Sequence, residues 1–147
     1  MKLKVNFKKL DERAVVPTYG TEFSAGADLY SVSDSTVFIN SGDTVLIHTG
    51  LAMEIPVGFG GFIFARSGLA SKKGIAPANK VGVIDADYRG EIMVALHNHS
   101  DKTVGIAPGE RIAQLVILPY YAAEFVECDE LCETVRGEGG FGSTGSK

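Results

Sequence analysis

DTVLIHTGLAMEIP, residues 43 to 56, sets short apolar runs on either side of a Thr-Gly step and closes on a proline. The same build recurs along the chain in LKVNF, ADLYSV, TVFI, GGFIFA, VGVID, EIMVALHN, TVGIA, RIAQLVILP and YAAEFVEC. Gly, Pro, Asn, Asp and Ser punctuate these segments at intervals close to the spacing of about 8 to 12 residues typical of sandwich or barrel strands. Eighteen glycines in 147 residues are consistent with that many tight turns. The reading is an all-β fold. One stretch breaks the pattern: in ARSGLASKKG, residues 65 to 74, Ser67 is an N-cap type of residue and Gly74 a plausible stop, which predicts a single short helix. In GVIDADYRGE, Val83 and Ile84 read as buried. ADYRG reads as a turn leading back into EIMVAL, which predicts a β-hairpin with Asp85 at its neck.

The length suits one domain with a real core, and no repeat or linker divides it. Apolar residues at 45% and charged residues at 22% are ordinary for a globular chain. The longest apolar run, Ile112 to Leu118, is far short of a membrane span, and the basic start lacks the continuous apolar core of a signal peptide. No membrane association and an intracellular, most simply cytoplasmic, location are expected. Cys128 and Cys132 lie in ECDELCE without a second Cys/His pair at zinc spacing, and read as two reduced thiols. A net charge of −4 argues against general nucleic-acid binding, so any polyanionic ligand has to be met by a local cluster of arginines.

Several segments carry candidate chemistry. RGEGGFGSTG, residues 136 to 145, contains the spacing G-x-G-x-x-G, but only five residues follow Gly142. A dinucleotide turn needs a strand before, a helix after and an acidic residue about 20 positions on, so that reading fails. The composition is that of a flexible tail. Arg66 and Ser67 at a helix start form an anion site by geometry, or else an ordinary capped helix with a surface arginine. Asp85, at the end of an apolar strand, is a candidate general base, or else a turn former like Asp87. Asp28, after a glycine at a strand start, either ligates a cation or ends a turn. Gln114 is polar within an apolar strand and needs partners, in a neighbouring loop or in a ligand site. His97 and His99 share a strand face, without the carboxylate or cysteine that would make them a metal pair.

Taken together, AGADLYS, ARSGLA, GVIDADYRGE, PGERIAQL and RGEGGFGSTG, spread in that order from Ala25 to Gly145, resemble the five motifs of the trimeric dUTP pyrophosphatases, the dUTPases. The resemblance implies an enzyme that splits dUTP into dUMP and pyrophosphate. It implies a jelly-roll-like β barrel over residues 1–135, a glycine-rich arm over 136–147, and a homotrimer whose active sites lie between subunits. The third motif then comes from one subunit, the first, second and fourth from another, and the arm from the third. By the same resemblance Asp85 activates the attacking water. Tyr88 lies beneath the deoxyribose and rejects a ribose. Asn79 and the backbone from Gly82 read uracil, while Arg66, Ser67, Gly68 and Gln114 meet the phosphates. Asp28 holds Mg²⁺ through water. In the arm, Arg136 meets the γ-phosphate, Phe141 stacks on uracil, and Gly142, Ser143 and Thr144 donate hydrogen bonds. Mg²⁺ prefers oxygen ligands and keeps several waters, so one indirect aspartate plus the phosphates suffices and no dense metal cluster is required.

Two alternatives share this fold. A dCTP deaminase carries a catalytic glutamate where this chain has Ala95, which cannot activate water. A dUTP-binding regulatory protein can lose its base or its arm, whereas Asp85 and the arm are both present.

Overall fold

The computed structural model describes residues 3–140. Twelve strands and one helix run in the order β1 (Asn6–Lys9), β2 (Thr18–Tyr19), β3 (Ala27–Tyr30), β4 (Val37–Ile39), β5 (Thr44–His48), β6 (Leu51–Glu54), β7 (Phe59–Phe64), α1 (Ser67–Lys73), β8 (Ile75–Pro77), β9 (Gly82–Ile84), β10 (Met93–Asn98), β11 (Val104–Ile106) and β12 (Arg111–Pro119). All strand pairs are antiparallel. They form a five-stranded sheet in the order β2-β3-β12-β7-β9, a three-stranded sheet β5-β10-β8, and the pairs β1-β6 and β11-β4.

Alternation makes this possible. Along β10 every second residue, Val94, Leu96 and Asn98, is buried, as a period of two requires of a strand with one face on a core. Leu29 and Ile112 from the large sheet, Ile47 and Leu96 from the second, and Leu51, Ile39 and Ile106 from the two ribbons join one apolar cluster, each at most 2% exposed. Four short sheets curled around one core give the jelly-roll-like architecture. Leu69 adds the one buried contact of α1.

The helix stops where the chain expects it to. Gly74 has φ 67°, the left-handed conformation that glycine adopts without strain, and its N–H returns to Ala70 O. A Cβ there would stand 3.0 Å from Ser100 Cβ and 3.1 Å from its amide nitrogen. Gly74→Ala is therefore expected to lower stability by about 1–2 kcal/mol, read as a fall in the urea midpoint with an unchanged slope.

Four local expectations are corrected. Arg66, not Ser67, occupies the cap position with extended φ/ψ; Ser67 is the first helical residue, and no side chain caps the helix. The β9–β10 hairpin does not form. β9 pairs with β7, and β10 pairs with β5 and β8. Glycine on β7 allows the first of these pairings, because a Cβ at Gly61 would come within 3.2 Å of Ile84 Cβ and 2.8 Å of Ile55 Cδ1. As the edge strand of its sheet, β9 leaves Val83 59% exposed and Ile84 only partly buried. YAAEFVEC forms no strand: among the described residues no segment pairs with it, and Phe125 and Val126 lie exposed. Cys128 and Cys132 are both free and exposed, as the thiol reading expects.

Candidate active site

Asp28 on β3 is the centre of the site. Its side chain is only 6% exposed, yet both of its oxygens are paired: Arg66 Nε donates to Oδ1 at 2.8 Å and Arg111 donates to Oδ2 at 3.1 Å. The Gln114 amide lies at 3.5 Å from Oδ1, the long end of hydrogen bonding. Three sequence candidates from three separate segments thus converge. Two arginines around one carboxylate leave a net positive charge in a chain that is negative overall. Arg66 uses only Nε on Asp28, which leaves its terminal nitrogens without a protein acceptor among the described residues. Such a face can receive a multiply charged anion.

Arg111 was not singled out in the sequence, and the structure explains why. In a regular strand, residues three apart point to opposite faces, so Arg111 and Gln114 would not share a partner. The ladder to β3 shifts register between Arg111 and Ala113: Arg111 faces Tyr30, while Ala113 faces Leu29 and Gln114 faces Asp28. This bulge buries Ile112 and Ala113 in succession and re-aims Arg111 onto Asp28. Gly26 completes the seat of Gln114, since a Cβ there would lie 3.1 Å from Gln114 Cβ.

The helix start adjoins this cluster. Ser67 and Gly68 are exposed, and the first turn carries no acidic residue. At the other end of α1, Lys73 donates to Glu110 at 2.8 Å. Partial burial pushes the Glu110 carboxyl up. The Lys73 ammonium, the Ala107 amide and the nearby Arg66 charge outweigh it and hold the group below the ordinary carboxylate value.

Asp85 follows β9 and is exposed. Its main-chain carbonyl accepts the Tyr88 N–H at 3.1 Å, so the backbone closes the turn and the carboxylate is not spent on it. Tyr88 is 40% exposed and donates its hydroxyl to Glu91 O at 2.9 Å. Asn79 and Gly82 are neighbours: a Cβ on Gly82 would lie 3.4 Å from Asn79 Nδ2, and Gly82 is buried against Ile63. Lys80 between them has φ 66°.

The two groups of candidates do not meet within one chain. Asp28, Gln114 and Phe64 stand in one row across β3, β12 and β7, whereas Ile84 stands opposite Gly61. Asp85 is thus about four residues along and three strands across from Asp28, roughly 20 Å by strand rise and spacing. After β12 ends at Pro119, residues 120–138 are exposed and contain no helix or strand. Arg136 Nε donates to Gly139 O at 2.7 Å in a local turn. Phe141, Gly142, Ser143 and Thr144 lie outside the described residues.

An antiparallel all-β fold with a buried aspartate between two arginines defines a barrel-like protein with an anion-receiving face. The family model for dUTPase matches residues 12–145. A deoxyuridine 5′-triphosphate nucleotidohydrolase from Desulfitobacterium hafniense is 51% identical over 146 residues, covering 99% of this chain and 97% of that protein. One from Nautilia profundicola is 53% identical, with 99% of each chain covered. Among solved structures, the Staphylococcus bacteriophage 80alpha dUTPase with dUPNHPP has a TM-score of 0.89 at 30% identity, covering 98% of this chain and 99% of that one. A mutant of the dUTPase from S. aureus phage phi11, whose structure shows the coordination of a structural Mg(II) ion, has a TM-score of 0.79 at 26% identity, covering 88% of this chain and 99% of that one. The chain belongs to the dUTPase family.

Proposed function

We propose that this chain hydrolyses dUTP to dUMP and pyrophosphate, and so keeps uracil out of DNA while supplying dUMP for thymidylate synthesis. Similarity to nucleotidohydrolases along 99% of the chain carries this reading. The Asp28, Arg66, Arg111 and Gln114 cluster gives it a physical site. Its substrate is a DNA precursor, so the reading carries with it an intracellular location.

In this scheme Asp85 orients a water molecule and takes its proton as the oxygen attacks the α-phosphorus; the bond to the bridging oxygen breaks, and pyrophosphate leaves. Arg66 and the exposed backbone of Ser67 and Gly68 meet phosphate oxygens beside Gln114. Positive groups held in place before the reaction need no reorganisation as charge moves to the leaving group. Tyr88 lies beneath the deoxyribose, and Asn79 with the backbone at Gly82 reads the base. Arg136, Phe141, Gly142, Ser143 and Thr144 belong to the arm, residues 136–147, that closes over the nucleotide.

The residues fit a magnesium ion held through water. No group of three or more His, Cys, Asp or Glu side chains suited to a metal occurs among the described residues. A carboxylate offers about four acceptor sites, and Asp28 spends three on Arg66, Arg111 and Gln114. The remaining one suits a hydrogen bond from a metal-bound water. When bound, Mg²⁺ neutralises phosphate charge.

The distance between Asp85 and Asp28 supports a site completed by another copy of the chain, and the homotrimer is the assembly proposed here. Phe125 at 95% exposed, Leu131 at 86% and Val135, fully exposed, are the kind of apolar surface such an assembly covers.

Incubation with Mg²⁺ and, separately, dUTP, dTTP, dCTP and UTP, with chromatography of the products, tests the reading. Release of dUMP and pyrophosphate from dUTP alone is expected. Binding of dUTP without turnover would instead favour a regulatory protein. Removing residues 136–147 is expected to leave the thermal midpoint within a few degrees and to lower kcat/KM for dUTP at least about tenfold, because no described strand lies beyond Pro119. A truncated chain that unfolds would make the arm part of the core.

A further inference from the structure

We propose that Glu91 is a positioning residue for sugar discrimination: it clamps the loop from Asp85 to Glu91 onto the β5–β6 turn and thereby sets the seat of the Tyr88 ring. The inference rests on the reading of Tyr88 as the surface beneath the deoxyribose. Asp85, Asp87, Tyr88 and Arg89 are all exposed, so this loop has little core packing of its own to hold it. Arg89 closes it internally, donating to Ala86 O at 2.7 Å and Tyr88 O at 3.0 Å, and its only reach outward among the described residues is to Glu54 on β6 at 3.8 Å, a long pair between two exposed side chains that holds little.

The close attachment comes from Glu91. One carboxylate oxygen accepts the Gly50 N–H at 2.8 Å, and the other lies 2.9 Å from His48 Nδ1, which has to carry a proton to donate. Both oxygens are therefore spent on the end of β5, the strand paired with β10, and the turn that follows it, and the side chain is only 21% exposed. The receiving turn is itself rigid: Gly50 has φ 65°, and a Cβ there would lie 3.0 Å from both Ala14 and Asp11. The next residue, Ile92, is fully buried and donates to Leu51 O at 2.8 Å.

The same residue holds the ring. Tyr88 donates its hydroxyl to the Glu91 carbonyl at 2.9 Å, and its ring folds so closely over Gly90 that any Cβ there would collide with it. Movement of the Glu91 backbone is therefore passed directly to the ring. An open hollow of about 380 Å³, lined by Arg13, Ser33, His48 and Glu91 among others, borders the clamp itself. Rejection of a 2′-hydroxyl by lack of space depends on a ring fixed to a fraction of an ångström.

The test measures kcat/KM for dUTP and for UTP by pyrophosphate release, with thermal midpoints, for the full-length wild type, Tyr88→Leu, Glu91→Ala, Glu91→Gln and His48→Leu. Glu91→Ala is expected to lower the dUTP:UTP ratio about tenfold, as a misplaced contact surface would. Glu91→Gln, whose amide oxygen still accepts from Gly50, is expected to recover the ratio to within about threefold. Should Glu91→Ala not fold, His48→Leu removes one of the two partners and is expected to lower the ratio about threefold, and a wild-type ratio there overturns the proposal. An unchanged ratio in a folded Glu91→Ala, alongside a reduced one in Tyr88→Leu, makes Glu91 structural only and leaves the sugar reading standing. An unchanged ratio in Tyr88→Leu removes the sugar reading and the clamp's purpose together.

Discussion

Asp85→Asn is expected to bind dUTP as the wild type does and to turn it over roughly 10³-fold more slowly, within the range that a positioned base contributes. Asparagine keeps the size and the hydrogen-bonding oxygen of aspartate, but it cannot take a proton from water near neutral pH. The turn itself should survive, because its hydrogen bond runs from the Tyr88 N–H to the Asp85 main-chain carbonyl. Steady-state rates with dUTP, and calorimetric titration with a non-hydrolysable imido analogue, separate chemistry from binding. Equal losses in kcat and in analogue affinity would mean that Asp85 holds the nucleotide; near-normal turnover would remove it from the chemistry altogether.

The second large effect is on stability. Asp28→Ala strands Arg66 and Arg111, which now share one carboxylate. Removing one member of a buried charge cluster costs about 3–5 kcal/mol when the remaining charge stays dry. Here Arg66 is 25% exposed and Arg111 50%, so water repays part of the loss and about 2–3 kcal/mol is expected. The two guanidiniums, no longer neutralised, should also repel one another and splay, so dUTP turnover falls with stability. Asp28→Asn, which keeps the packing against Gln114, should lose less of both. Urea denaturation reads the first quantity and kcat/KM the second; a wild-type urea midpoint for Asp28→Ala would show that the arginines are held by something other than Asp28.

The legible parts of this protein are those that local chemistry decides. Period-two alternation in EIMVALHN becomes β10 with its buried Val94, Leu96 and Asn98. The glycine after ARSGLASKK becomes the left-handed stop at Gly74. The polar Gln114 in an apolar strand, and the aspartate in AGADLYS, become neighbours across the β3–β12 ladder. The errors lie where a partner distant in sequence decides. A turn such as ADYRG looks the same whether its flanking strands pair with each other or, as here, with β7 on one side and β5 and β8 on the other. Arg111 escaped notice because a bulge resets the alternation on which face assignments rest.

The sequence by itself determined the all-β class and the short helix, and marked Asp28, Arg66, Asp85 and Gln114 as candidates. Each of these is written in side-chain alternation, in turn chemistry, or in a polar group set where an apolar one is expected. Tertiary structure alone decided which strands share a sheet, that two arginines close on Asp28, and that Asp85 lies on the far flank of the same sheet. Those outcomes depend on pairing between segments distant in sequence, as Asp28 and Gln114 are at 86 residues apart. Such pairing is selected by how all the apolar faces close on one core together, and no single segment carries that information.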